Sequence, residues 1–123
     1  MPPRDLLERT RQFSLTVSRF CRTLPRTDEA REAARQLRRA ANSVRSNYRA
    51  SRKGRSRAEF EAKLGIVWEE SDECVDWLEY LHDMRIANRP EILQEARELA
   101  SIFTQALKTA RRNTQRLRKA PGG

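Results

Sequence analysis

The sequence predicts an all-α fold, an up-down-up-down antiparallel four-helix bundle occupying residues 1–123 as a single domain. Three observations predict it. Four segments each carry an apolar stripe in steps of 4,3,4,3, the spacing that keeps one seam facing a neighbour along a slightly supercoiled helix. Short breaks separate the segments, and short connections make consecutive helices antiparallel. Charged residues make up 35% of the chain and apolar ones 37%, with four glycines and five prolines. Gly and Pro are too scarce for a many-turned β-sandwich, and the apolar fraction is too high for a disordered polyelectrolyte.

The first helix is expected over about 4–24, with Leu6, Thr10, Phe13, Val17, Phe20 and Leu24 on its seam and Pro25 ending it. The second, about 28–53, follows Thr27, a side chain suited to capping, with Asp28 and Glu29 at the positive end of the helix dipole. Its seam is Ala30, Ala34, Leu37, Ala41, Val44 and Tyr48. The third, about 57–86, follows Lys53-Gly54-Arg55-Ser56, and Ser56 with Glu59 fits a capping box. Its seam is Phe60, Leu64, Val67, Ser71, Cys74, Leu78 and Leu81. The fourth, about 90–118, follows Asn88-Arg89-Pro90, where Asn88 and Glu91 fit a second box, and a basic tail, 119–123, ends the chain. Its seam is Ile92, Ala96, Leu99, Phe103, Ala106 and Ala110.

The third helix has more apolar surface than one seam uses. Trp68, Val75, Trp77, Tyr80 and Met84 lie largely off the stripe and are the candidate oligomer interface, since aromatic residues concentrate in such interfaces; a wide internal core is the other reading.

Cys21 and Cys74 are too few for a disulfide framework and have no metal-ligand spacing, so they read as reduced, buried hydrophobes. His82 is the only histidine, which rules out a paired Glu-x-x-His di-iron set. No catalytic constellation, metal site, cofactor or small-molecule substrate is expected, and the acids of the third helix read as a solvated face. The longest apolar run, Leu64 to Trp68, is far short of a membrane span, and no signal-peptide core follows the N-terminus. The expected setting is cytoplasmic, with no membrane partner.

The net charge of +9 is unevenly placed: +3 over 1–25, +8 over 26–57, −7 over 58–87 and +5 over 88–123. Bundle topology gathers Arg45, Arg49, Arg52, Lys53, Arg55 and Arg57 with Lys108, Arg111, Arg112, Arg116, Arg118 and Lys119 at one pole, joined by Arg4. The other pole is expected to be acidic, with Asp28, Glu29, Glu32, Asp76, Glu79 and Asp83 among its residues. Along the second helix Arg31, Arg35, Arg38, Arg45, Arg49 and Arg52 form a ridge interrupted only at Asn42. Arginine far outnumbers lysine, which suits bidentate phosphate contacts. The candidate nucleic-acid-binding residues are therefore Arg38, Arg45, Arg49, Arg52, Lys53, Arg55, Arg57, Arg111, Arg112, Arg116, Arg118 and Lys119. Backbone binding to RNA or DNA, with RNA favoured, fits better than sequence readout, because no recognition-module signature is present. An acidic protein partner is the competing reading, with the domain as a protein-interaction scaffold.

The stretch Gln36-Leu37-Arg38-Arg39-Ala40-Ala41-Asn42-Ser43-Val44-Arg45-Ser46-Asn47-Tyr48-Arg49 resembles the second helix of the four-helix-bundle proteins of 23S ribosomal RNA intervening sequences. Residues 56–67, with Glu69-Glu70-Ser71-Asp72-Glu73 and Trp77-Leu78-Glu79-Tyr80-Leu81, resemble the third. Asp5 to Phe13 with Leu24-Pro25 resembles the family opening. The resemblance implies a bundle assembling into a homopentameric ring without known enzymatic activity. The chain is also similar to the accessory variability proteins of diversity-generating retroelements, which implies association with a reverse transcriptase and its template RNA. One departure is Ala50, where the family commonly carries a glutamate; its loss makes this end of the helix more basic. Ser43 and Asn47 match polar motif positions and are expected to serve structure.

Overall fold

In a computed structural model the chain forms four α-helices: α1 (Pro3–Cys21), α2 (Asp28–Ser51), α3 (Arg57–Asp83) and α4 (Pro90–Lys119). The structure describes residues 3–119, with side chains from Leu6 onward. Arg4 and the tail beyond Lys119, both expected to be basic surface, lie outside the side chains described. Among the described residues there is no strand.

Each helix packs on the next in sequence: α2 on α3 most extensively, then α3 on α4 and α1 on α2, while α4 closes only lightly on α1. The contacts run antiparallel. Ser14 meets Asn42 and Cys21 meets the Ala34 carbonyl, so later residues of α1 face earlier ones of α2. Across α3 and α4 the same reversal links Glu61 to Thr114 and Glu79 to Arg97.

The stripes become the core. Phe13, Val17, Phe20, Leu37, Val44, Leu64, Val67, Leu78, Leu81, Leu99 and Phe103 are all buried. Ala33 and Ala40 form a second buried column on α2 beside the predicted seam. On α4, Leu107 is buried while Ala106 is only partly so. Leu117 continues the heptad Phe103–Ala110–Leu117 but is 51% exposed, because the last turns of α4 outrun the packing from α1. Polar residues within the core close on their own helix: Thr10 Oγ1 donates to the Leu6 carbonyl (2.7 Å), Ser71 Oγ to Val67 (2.7 Å) and Ser51 Oγ to Tyr48 (2.6 Å). Among the described residues no buried side-chain polar atom lacks a partner.

The helix ends refine the sequence reading. Thr27 caps α2, accepting from the Ala30 N–H, and Ser56 caps α3, accepting from the Glu59 N–H. The Glu59 carboxylate accepts from the Arg55 N–H at 3.2 Å, one residue before the cap. The box predicted at Asn88 does not form. Pro90 takes the first helical position, so the Arg89 carbonyl accepts from Ile92 and Leu93, and the Arg89 guanidinium binds Glu91. At their C-termini α1, α2 and α3 stop two or three residues short of the expectation. For α3 the reason is local. Arg85 has φ 58°, and the Ile86 N–H bonds Leu81 O while the Arg85 N–H bonds His82 O, a Schellman closure built without glycine.

Candidate nucleic-acid interface

The predicted basic pole resolves into separate grooves. Between α1 and α2, Arg45, Arg49, Arg52 and Lys53 join Leu7, Glu8 and Arg11 around a groove of about 360 Å³. Between α3 and α4, Arg57, Arg111 and Arg118 join Glu61, Glu69 and Thr114 around one of about 560 Å³. Arg55, Arg112, Arg116 and Lys119 are exposed and line neither.

Arg38 is not with them. It lines a third groove, about 420 Å³, at the α1–α2 connection, with Arg22, Arg26, Arg31 and Arg35 over Cys21, Leu24, Pro25, Ala30 and Ala34. This corrects the expected polarity: the end carrying Asp28, Glu29 and Glu32 also carries a five-arginine groove. The α2 ridge therefore lies along the face shared with α1 and is basic along its length. Arg11, Arg22 and Arg26 were missed because they sit on another helix or in a loop, where the periodicity of α2 gives no position.

Ion pairing divides the arginines into two sets. Arg9 binds Glu95 and Glu98 between α1 and α4. Arg39 of α2 spans Glu70 and Glu73 of α3, and Arg97 of α4 binds Glu79 of α3. All these arginines lie outside the candidate set. Among the described residues Arg38, Arg49, Lys53, Arg55, Arg57, Arg112, Arg116, Arg118 and Lys119 have no carboxylate within 4 Å, and Arg111 reaches Glu61 only at 3.7 Å. No ion pair joins α1 to α2 there.

Arg45 has a structural engagement. Its Nε donates to Ser14 Oγ (3.1 Å), which donates to Asn42 Oδ1 (2.7 Å). The one uncharged position in the ridge is thus where α1 is fastened to α2. Ser43 and Asn47 are also structural: Asn47 Nδ2 donates to the Ser43 carbonyl (3.0 Å) and hydroxyl (2.9 Å). Burial pushes the Tyr48 phenol up, opposed by the charge of Arg52 at the groove edge.

Four acids of α3, Glu61, Glu70, Glu73 and Glu79, bind arginines of α2 or α4. Burial pushes the Glu70 carboxyl up, but hydrogen bonds from Arg39 and Ser43 and the charge of Arg39 outweigh it and hold the group below its ordinary value. Trp77 Nε1 donates to Glu73 Oε1 at 3.4 Å. Among the described residues no His/Cys/Asp/Glu group has a metal-holding arrangement.

The expected interface residues fall on two flanks of α3. Trp68 faces α4, its indole N–H donating to Thr104 Oγ1 at 2.8 Å. Trp77 lies nine residues on, half a turn round the helix, beside the carboxylate that binds α2. Val75, Trp77 and Tyr80 pack partly against the core, with the Trp77 and Tyr80 rings edge to face at 5.4 Å. Trp68 and Met84 are exposed at 37% and 46%.

The fold and its charge define an antiparallel four-helix bundle with arginine-lined grooves. The chain belongs to the family of 23S rRNA-intervening sequence proteins, whose model matches residues 4–109. It is similar to the crystal structure of a protein of unknown function from the S23 ribosomal protein family of Bacteroides thetaiotaomicron VPI-5482. The two are 23% identical with a TM-score of 0.77, over 88% of this chain and 99% of that one, a likeness of fold. No curated protein matches the chain. Among the described residues no helix is long and apolar enough to cross a membrane.

Proposed function

We propose that this protein is a non-catalytic, ring-forming bundle that binds nucleic acid, RNA in preference to DNA, through its unpaired arginines. The observation that carries the reading is the α1–α2 groove, where Arg45, Arg49, Arg52 and Lys53 stand beside an Arg11–Glu8 ion pair (3.2 Å) that takes up the groove's single carboxylate. Neutralising phosphates there releases counterions, and that release supplies most of the free energy of sequence-independent binding. Arginine forks match phosphate oxygens bidentately. The family resemblance suggests a ribonucleoprotein setting, with a reverse transcriptase as one partner of that class.

A closed ring needs two different, complementary patches on each subunit. Trp68 on one flank of α3, with Tyr80 and Met84 on the other, supports that geometry, and a homopentamer is the proposed size.

The test is fluorescence anisotropy of a labelled structured RNA over a salt series, with sedimentation to count subunits. Tight binding that weakens steeply with salt is expected. The triple charge reversal Arg49→Glu, Arg52→Glu and Arg112→Glu should abolish binding and leave the oligomer intact. Disassembly of the oligomer by that variant, or no binding by the wild type at low salt, would instead assign the arginines to protein contacts.

A further inference from the structure

The groove at the α1–α2 connection and the groove beside Lys53 lie on the same face, one at each end of the α2 ridge. Arg31 and Arg52 are 21 residues apart, about 32 Å along the helix axis. The Ser14–Asn42 contact, whose residues line neither groove, lies between them along α2, with Arg45 at the edge of the near one. In the far groove only Arg35 has a carboxylate partner, Glu32 at 2.7 Å. Arg22, Arg26, Arg31 and Arg38 have none among the described residues, and Asp28 and Glu29 do not line it.

Stacking decides which form of nucleic acid suits this face. Proteins that hold single strands add base–aromatic stacking to charge, and that stacking supplies a large part of their affinity. The aromatic residues of α1 and α2 are Phe13, Phe20 and Tyr48, and all three are buried. The exposed Trp68 belongs to α3. The face therefore offers charge without a stacking platform. A duplex needs no platform, because its bases are already stacked. Its stiffness, a persistence length of about 50 nm for DNA, also keeps it straight over a 32 Å ridge, so contacts at one groove present phosphates to the other without further ordering.

We infer that the α1–α2 face is a two-groove seat for double-helical nucleic acid, gripped by its backbone at both ends of the ridge. This rests on the nucleic-acid reading above and names the form of ligand and the second half of the footprint. Arg22, Arg26, Arg31 and Arg38 are its added binding residues.

The experiment titrates full-length protein against a 24-base-pair RNA duplex and against one unpaired strand of that length, over a salt series. The duplex should bind at least about tenfold more tightly at equal salt. The variant Arg31→Ala/Arg38→Ala should weaken duplex binding about tenfold and lower the salt slope by about two, one for each phosphate contact. Neither arginine has a structural partner, so the variant should melt no lower than the wild type, and Arg49→Ala/Lys53→Ala provides the near-groove comparison. Equal or tighter binding of the unpaired strand would overturn the inference, as would a duplex titration that responds only to the near-groove pair. Failure of the wild type to bind either RNA would overturn the nucleic-acid reading itself.

Discussion

Arg39 on α2 holds Glu70 on α3 through two parallel hydrogen bonds, Nη1 to Oε2 at 2.7 Å and Nη2 to Oε1 at 3.2 Å. The Glu70 side chain is 15% exposed and the Arg39 side chain 47%. This fork fastens the most extensive helix pair in the bundle, and the Glu70 carboxyl is held below its ordinary value. A depressed carboxylate contributes stability that is present above the unfolded value, about 4.3, and is lost as pH falls through the folded one. The melting temperature should therefore hold between pH 8 and 5 and decline below about pH 4. With Arg39 partly in solvent, the pair is worth about 1 kcal/mol at most. Glu70→Gln should lose about that at pH 7 and show a shallower acid decline; an unchanged acid limb would show that Glu70 has no part in it.

Gly65 lies inside α3, and a Cβ built there meets nothing within 4 Å. Glycine inside a helix costs about 0.5–1 kcal/mol relative to alanine. Gly65→Ala should stabilise the chain by that amount in urea unfolding of the free protein. A loss of stability would show that the position is covered in solution, as it would be under a second subunit.

Arg85 closes α3 in the left-handed region, where a side chain costs about 1–2 kcal/mol. Arg85→Gly removes that strain while loosening the unfolded chain, leaving a net gain of about 0.5–1 kcal/mol. Thermal melts of the two proteins in parallel would read the difference, and destabilisation would mean the Arg85 side chain contributes more than the strain it carries.

Both thiols are buried, and burial pushes each up from its ordinary value; for Cys74, Glu70 and Glu73 add to the shift. The thiolate is the reactive form. Native protein at pH 8 should leave Cys74 unmodified by a disulfide reagent over the time in which the denatured chain titrates both. Rapid labelling of Cys74 in the native state would show that α2 and α3 open locally.

Most of the fold was legible because a heptad stripe is a one-dimensional signal that maps directly onto a helix face. Phe13, Leu37, Val67 and Phe103 stand where that signal put them. The ends were harder. A Schellman closure announces itself through glycine, and here Arg85 occupies the position. The basic surface was legible in outline, since the ridge from Arg31 to Arg52 follows from spacing alone. Its division was not: whether Arg38 shares a groove with Arg49 or with Arg22 depends on where the α1–α2 connection turns. The tryptophans show the same limit. Both are on α3, yet nine residues of helix put Trp68 toward α4 and Trp77 toward α2.

Among the described residues α1 and α2 meet with no ion pair between them and with arginines lining both grooves of their shared face. Like charges that hold nothing repel one another, so the empty protein carries a self-repulsion that counterions screen. Salt then acts in opposite senses on the two states, firming the free bundle while loosening its grip on a polyanion. A bound polyanion performs the same screening from one side, so ligand and added electrolyte should substitute for each other in raising the melting point, each leaving less for the other to do.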